Sequence, residues 1–549
     1  MTLFKHEGMR VCTCKPAAPR VRAYLVGMLL LVGIWLGTAV SAAPSTTNWA
    51  FPDRSYRLLI TVQANGYARA DKVAEATVDF AQQLTALGES GSFDEDSVRL
   101  AEVTASGVVL DDAVPFQFDN GITPDAPAGT LVWLLTGATA TNDSRYYQVY
   151  FDVTGTFTTP SFLDRVERKA DQSWAGQSSY KIITRDANGA ANTTYYYHKE
   201  GAGFASVIDS SGNDWISYQP GAGTESGGEY RGIPNLGDVF HPGYTGDANS
   251  TDQGSQSTIL DDGPLKLTFQ SVSQNGQFKA VWAIYPTFAQ MTVTVENGNK
   301  YWMLYEGTPG GQLEYSSTPK DYMVTSDNSQ INANNTYNND LSQEWAYFAD
   351  GTINRSLFVA HGPNDDIADS YRHQDNFSGN GSQADAMTVF GFGRDIDKGV
   401  ELLLEAENAT YTFGLVNDRD FADVSAVVNN ARQDLVVTIG AITAVNQAPV
   451  TAADSAAVIA GHSVMIDLLA NDSDVDNANL TVTALSDPAH GQVTNNGDGT
   501  VTYQADSDFA GADTFTYRAW DGEAASADTT VTVTVLPAEK IYIPFVIKP

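Results

Sequence analysis

The chain of 549 residues has two cysteines, Cys12 and Cys14, and both fall ahead of its one long apolar run. From residue 15 onward there is no thiol, which excludes disulfides, cysteine metal ligands and thiol chemistry from the rest of the chain. A Cys-x-Cys pair is able to bind metal or cycle its redox state, but this one sits in a segment that export would discard. Basic residues are scarce as well: 31 Lys and Arg stand against 66 Asp and Glu, a net charge of −35. Such a field repels nucleic acid and anionic lipid, so neither is an expected partner. Also missing are a nucleophile elbow, a phosphate loop, a His-Glu-x-x-His zinc motif and a dinucleotide fingerprint. Serine-nucleophile, kinase and redox chemistry lose their sequence support with them.

What is present begins with a leader. Lys5, Arg10, Lys15, Arg20 and Arg22 form a basic stretch, followed by the apolar run 23–40 and then Ser41, Ala42 and Ala43. That order is the layout of a secretory signal peptide, with Val40 and Ala42 at the small-residue positions and cleavage after Ala42. The run is also close to the minimum length of a membrane span, so an uncleaved anchor is the rival reading and the only membrane link expected. Removing residues 1–42 leaves 26 basic and 65 acidic residues, a net charge of −39. The expected location is secreted or cell-surface. Outside the cell many carboxylates often mean calcium, the plainer alternative being solubility alone.

Strands dominate the remainder. Period-two alternation is clear in 145–152, 290–296 and 528–535, and Gly, Asn, Asp and Ser clusters punctuate the runs. Helical spacing is confined to 161–171 and 421–433. The expected fold class is all-β: several antiparallel β-sandwich domains, the central one a large sandwich or supersandwich. The expected divisions are an N-terminal accessory sandwich at 50–158, a central domain at 165–440 and a small module at 446–536. An apolar tail follows at 540–549, read either as a closing edge strand or as a sorting tail.

The small module is the most legible part. Asn471-Asp-Ser-Asp-Val-Asp476 follows the strand 463–469; then come Leu480-Thr-Val-Thr483, Gly497-Asp-Gly-Thr-Val-Thr-Tyr503, Asp513-Thr-Phe-Thr-Tyr517 and Asp521-Gly522. This order resembles the bacterial cadherin-like and Ig-like repeats of large exported proteins. The resemblance implies a seven-stranded Greek-key sandwich used as a spacer or adhesive module. Between 446 and 537 there are thirteen acidic residues and one basic residue, Arg518. Asp472, Asp474 and Asp476 alternate along a loop, so with Asp521 they are the expected ligands of a calcium ion. The alternative is an acidic turn without an ion.

In the central region, 195–218 reads as two strands around a turn. Gly228-Glu-Tyr-Arg-Gly-Ile-Pro-Asn235 precedes Phe240-His-Pro-Gly243, and Tyr301-Trp-Met-Leu-Tyr-Glu-Gly-Thr-Pro-Gly-Gly311 follows a strand pair. Later landmarks are His361, Asp365, Asp366 and Asp369, then Met387 to Arg394. In texture this resembles the large sandwich shared by galactose-mutarotase-like domains and several polysaccharide lyases, without a complete catalytic signature. A lyase acting on uronic acids needs a base for the C5 proton and a cation for the carboxylate. Arg231, His241, Tyr305 and Glu306 border irregular Gly/Pro-rich openings and are the candidate catalytic residues. A salt-bridged loop arginine and a surface turn histidine are the structural alternatives for the first two. Trp215, Trp302, Trp345 and the tyrosines at 230, 244 and 305 lie near loop signals, and flat rings stack on sugar faces. Tyr230, Tyr244 and Trp302 are the candidate substrate-binding residues, ordinary core packing being the alternative for such rings.

Two classes of function remain. One is an exported carbohydrate-active protein whose central domain binds, and in the lyase case cleaves, an extracellular polysaccharide. The other is a non-enzymatic adhesin or surface-layer component. The size and irregularity of the central region favour the first. With 17 basic against 36 acidic residues between 161 and 445, a neutral or calcium-bridged acidic glycan is the better electrostatic match.

Overall fold

The computed structural model describes residues 49–121, 126–217, 254–298, 300–311, 320–374, 387–395, 401, 402, 404, 405, 407–474 and 479–538. It is all-β, as the alternation predicts. The first sandwich packs a five-stranded sheet against a three-stranded one. Alternate residues of Tyr56–Gln63, among them Leu58, Ile60 and Val62, are buried and turn one face inward. They meet Trp133, Tyr147 and a knot of phenylalanines in which Phe80 stacks on Phe93 at 4.4 Å and meets Phe151 at 4.7 Å.

One edge of that sheet comes from far away in the chain. Val436–Ala444 pairs antiparallel with Tyr56–Gln63, placing Val436 beside Gln63 and Ala444 beside Tyr56. Ile442 thereby joins the first core. The chain leaves the first sandwich, builds the central domain and returns before entering the C-terminal module.

The central domain is built on a large antiparallel sheet of nine strands, running from Ser255–Asp262 at one edge to Gln330–Asn332 at the other. Two smaller sheets share the core with it. One comprises Val166–Arg168, Gln172–Trp174, Gln177–Arg185, Ala191–His198 and Gly203–Asp209. The other, termed the site sheet, orders Met303–Gly307, Met387–Phe392, Asp369–Gln374 and Tyr337–Asn339. Aromatics fill the interior: Trp282 meets Phe204 edge-to-face at 4.8 Å and 89°, and Phe413 meets Phe204 at 5.3 Å. Trp215 and Trp345, expected near loops, are core residues at 0% and 1% exposure.

The two expected helical segments part company. Phe421–Arg432 is a helix, capped where Asp420 Oδ1 accepts from Ala422 N at 3.0 Å. Val424, Val428 and Ala431, at helical spacing, pack with Trp345, Tyr347 and Phe358. In 161–171, by contrast, the structure has the strand Val166–Arg168, paired with the strand Gln177–Arg185. The reason is tertiary: Phe162 packs on the first core and Val166 in the central core, so apolar residues at helical spacing face two different interiors.

The first two units are pinned by buried polar contacts. Lys266 Nζ lies 2.8 Å from Glu75 and 3.4 Å from Asp119, and Tyr285 Oη donates to Glu75 at 2.6 Å. Lys72 Nζ donates to the carbonyls of Asn430 and Ala431 at 2.6 and 3.0 Å, placing a cation on the helix C-terminus where the dipole favours it.

In the C-terminal module, four strands face three. Asp454–Ile459 pairs parallel with Thr529–Leu536, and the remaining ladders are antiparallel. Tyr503, Tyr517, Phe515, Val531 and Val533 form its own core. Gly497 and Gly499 adopt φ of 81° and 91° in the turn between Gly491–Asn495 and Thr500–Ala505, a conformation that favours glycine.

Candidate functional site

The site sheet sorts its residues by parity. Tyr305, Phe390 and Tyr371 stand in one cross-strand row, and all three belong to the central core. Tyr305 is fully buried, and its hydroxyl donates to the Trp215 carbonyl at 3.0 Å. Burial holds its phenol well above the ordinary range, the reverse of what a general base needs. The next row is Glu306, Val389 and Arg372, which period-two geometry turns to the opposite face.

Arg394 joins that face from just beyond its edge. Gly393, at φ 66°, turns the chain at a point where a Cβ would come 2.3 Å from Leu404 Cγ. The Arg394 guanidinium then sits 5.3 Å from the centre of the Trp302 ring. Arg394 is 6% exposed, and burial lowers its pKa to about 10, with Glu306 opposing and Arg372 reinforcing the shift. Arg394 Nε and Nη1, Arg372 Nε and Trp302 Nε1 are buried without an acceptor. Of the expected site residues, Glu306 and Trp302 are therefore brought together. Arg372 was not singled out by sequence, and Arg394 appeared there only as the end of the landmark 387–394, although a cation after Gly-Phe-Gly in so acidic a chain was an available signal for it. Tyr230, Arg231, His241 and Tyr244 lie outside the described residues.

A second constellation lies where the site sheet meets the large sheet. Asp340 follows the strand Tyr337–Asn339, Asp369 opens Asp369–Gln374 and Glu344 precedes Trp345–Asp350. One carboxylate oxygen from each lies within 4.8 Å of the others. Glu344 and Asp369 are each 1% exposed, whereas Asp340 is exposed. Asp369 is oriented by two backbone donors, Gly393 N at 3.2 Å and Leu341 N at 3.3 Å. Neither carboxylate oxygen of Glu344 has a donor. Burial, then the neighbouring charges of Asp369, Asp365 and Asp340, push Glu344 far above the carboxylate range. Beside them His361, 3% exposed, has no hydrogen-bond partner on either ring nitrogen, and its Nδ1 is 3.7 Å from Asp365 Oδ2. Burial, then Arg432, lowers its pKa to about 4, so the imidazole is neutral at pH 7.

The expected calcium ligands of the C-terminal module have different surroundings. Asp472 accepts from Ala452 N at 2.9 Å and Tyr517 Oη at 2.8 Å. Asp521 accepts from Glu523 N at 2.6 Å, Ala524 N at 2.7 Å and Asn446 Nδ2 at 2.9 Å. Asp474 follows the bridge between Val450 and Ser473, and Asp476 lies outside the described residues.

Comparison with known proteins gives this module a family. Residues 446–534 match the model of the bacterial Ig domain, so the C-terminal module is an Ig-like domain of a kind typical of exported or surface proteins. No curated protein matches the chain. Among solved structures, HI1317 is similar at 14% identity over 46% of this chain and 99% of its own, with a TM-score of 0.29. The endo-fucoidan hydrolase MfFcnA9 of glycoside hydrolase family 107 is similar at 16% identity, over 40% of this chain and 32% of its own, TM-score 0.13. The M60 catalytic domain of Clostridium perfringens ZmpB, with its two CBM51 domains, is similar at 12% identity over 82% of this chain and 40% of its own, TM-score 0.11. Among the described residues no helix is long and apolar enough to cross a membrane.

Proposed function

We propose that the protein is exported and that its central domain binds an anionic extracellular polysaccharide on the face carrying Trp302, Glu306, Arg372 and Arg394. The observation that carries this reading is a set of buried guanidinium nitrogens without an acceptor, Arg394 Nε and Nη1 and Arg372 Nε, with the Arg394 group over an indole ring. Guanidinium matches carboxylate and sulfate groups in both charge and geometry, and an indole face accepts a sugar ring. Buried donors left unpaired cost free energy, which an anionic ligand would recover. The basic and apolar leader supports export, and the Ig-like domain serves as a spacer. Glu306, an acid close to both cations, is the residue on this face to test for turnover.

Retention of the full chain on arrays of neutral, uronate-bearing and sulfated glycans tests the proposal. The expected result is selective retention of acidic glycans, weakened about tenfold or more by Arg394→Met while circular dichroism is unchanged. Retention of neutral glycans alone, or undiminished binding by Arg394→Met, would overturn it. Ultraviolet detection of unsaturated products, abolished in Glu306→Gln, would extend binding to cleavage.

A further inference from the structure

We infer that Asp340, Glu344 and Asp369 bind a hard divalent cation, calcium, at the junction of the site sheet and the large sheet. This goes beyond the glycan reading and does not depend on it. Three carboxylate oxygens within 4.8 Å of one another satisfy the limit for a shared calcium, whose oxygens stand about 2.4 Å from the ion and so at most about twice that apart.

Proximity alone would not make a site; the missing donors do. Glu344 is 1% exposed, and both its carboxylate oxygens are buried and without a hydrogen-bond partner, facing two further acids. Among the described residues no lysine or arginine forms an ion pair with any of the three. Arg432, a cation close enough to sense Glu344, is occupied at 3.0 Å by the His361 carbonyl and at 3.0 Å by Asn364 Oδ1. His361 is a buried neighbour of the cluster. It is 3% exposed with both ring nitrogens unpartnered, and its backbone N–H donates to the Glu344 carbonyl at 2.8 Å.

The geometry also suits entry and hold. Gly393 N and Leu341 N fix the Asp369 carboxylate, as outer-shell donors fix ligands in metal sites. Exposed Asp340 leaves one side open, where water would complete the six to eight oxygens that calcium takes. All donors in the cluster are oxygen, which selects a hard cation over zinc or copper. An ion here would tie the strand Asp369–Gln374, which carries Arg372, to the start of Trp345–Asp350.

Calorimetric titration of the chelator-stripped full chain with calcium chloride tests the assignment, repeated on Glu344→Gln, Asp340→Asn and Asp472→Asn. The wild type is expected to bind calcium. Glu344→Gln and Asp340→Asn should each lose one equivalent, or bind it about a hundredfold more weakly, because the charge of a ligand carboxylate sets calcium affinity. Asp340 is at the surface, so a folding defect would not explain its loss, and Asp472→Asn should keep that equivalent. No calcium binding by the wild type, or undiminished binding by both cluster variants, would overturn the inference. So would loss of the equivalent in Asp472→Asn alone, which would move the ion to the Ig-like domain.

Discussion

Asp513 of the Ig-like domain and Glu344 of the central domain are 3% and 1% exposed, yet their surroundings are opposite. Asp513 accepts from Ala489 N, His490 N, Thr514 N and Tyr503 Oη at 3.1, 3.0, 3.0 and 2.6 Å. Burial pushes its carboxyl upward, but the hydrogen bonds from Tyr503, His490, Thr514 and Ala489 outweigh burial and hold it below the ordinary range. Glu344 has no donor and lies far above that range. A buried carboxylate ringed by N–H and O–H groups is a structural acceptor with its charge already compensated. One facing only other carboxylates needs a proton or a cation. Donor supply, rather than the density of acidic residues, separates the two.

The largest test of this contrast is Asp513→Ala. It should destabilise the Ig-like domain by about 3–5 kcal/mol, because several buried donors lose their acceptor at once. Urea denaturation of the full chain, read domain by domain through hydrogen exchange, checks it. A loss below about 1 kcal/mol would break the comparison.

The next test is pH, for which Asp119 at the first interface is the useful counterpart. Burial raises Asp119 to about 6, against Lys266 and the hydrogen bond from Gln117. The stability it contributes is complete below the ordinary carboxylate range and is lost as pH rises from about 4 to about 6, by at most about 1.4 kcal/mol per pH unit for one proton. Asp513, with a lowered value, contributes stability present above the ordinary range and lost as pH falls through its folded value. Subtracting the urea profiles of Asp119→Asn and Asp513→Asn from that of the wild type should give slopes of opposite sign. Parallel profiles would contradict the assignment.

Smaller still is Tyr503→Phe, expected to cost about 1 kcal/mol, since three backbone donors to Asp513 remain. The smallest effect belongs to Glu344→Gln in chelator. Its unfolding free energy should stay within about 1 kcal/mol of the wild type, or rise, because no hydrogen bond to the Glu344 carboxyl is lost. A large loss would mean that Glu344 is a structural acceptor like Asp513.

The Ig-like domain was legible because its information is local. Turn glycines at Gly497 and Gly499 and the alternation of 513–517 and 528–535 specify hairpins and faces without reference to distant residues. Its acidic loop was legible as a cluster of charge, but nothing in its spacing revealed that Ala452 N and Tyr517 Oη would reach Asp472. The helix Phe421–Arg432 showed its stripe, whereas 161–171 showed a similar spacing and became partly strand because its apolar residues serve two cores. Val436–Ala444 carried no mark of its partner, which precedes it by most of the chain.

By itself, then, the sequence determined strand-rich sandwiches, the Ig-like domain, the acidic character and the alternation that puts Glu306 on the face opposite Tyr305. Tertiary structure alone decided that Tyr305 is core, that Arg394 lies over Trp302 within the field of Glu306 and Arg372, and that Glu344 is buried without a donor. The physical reason is that facing in a strand follows from a period of two residues. Burial and the supply of hydrogen-bond donors depend on which distant strands close over a side chain.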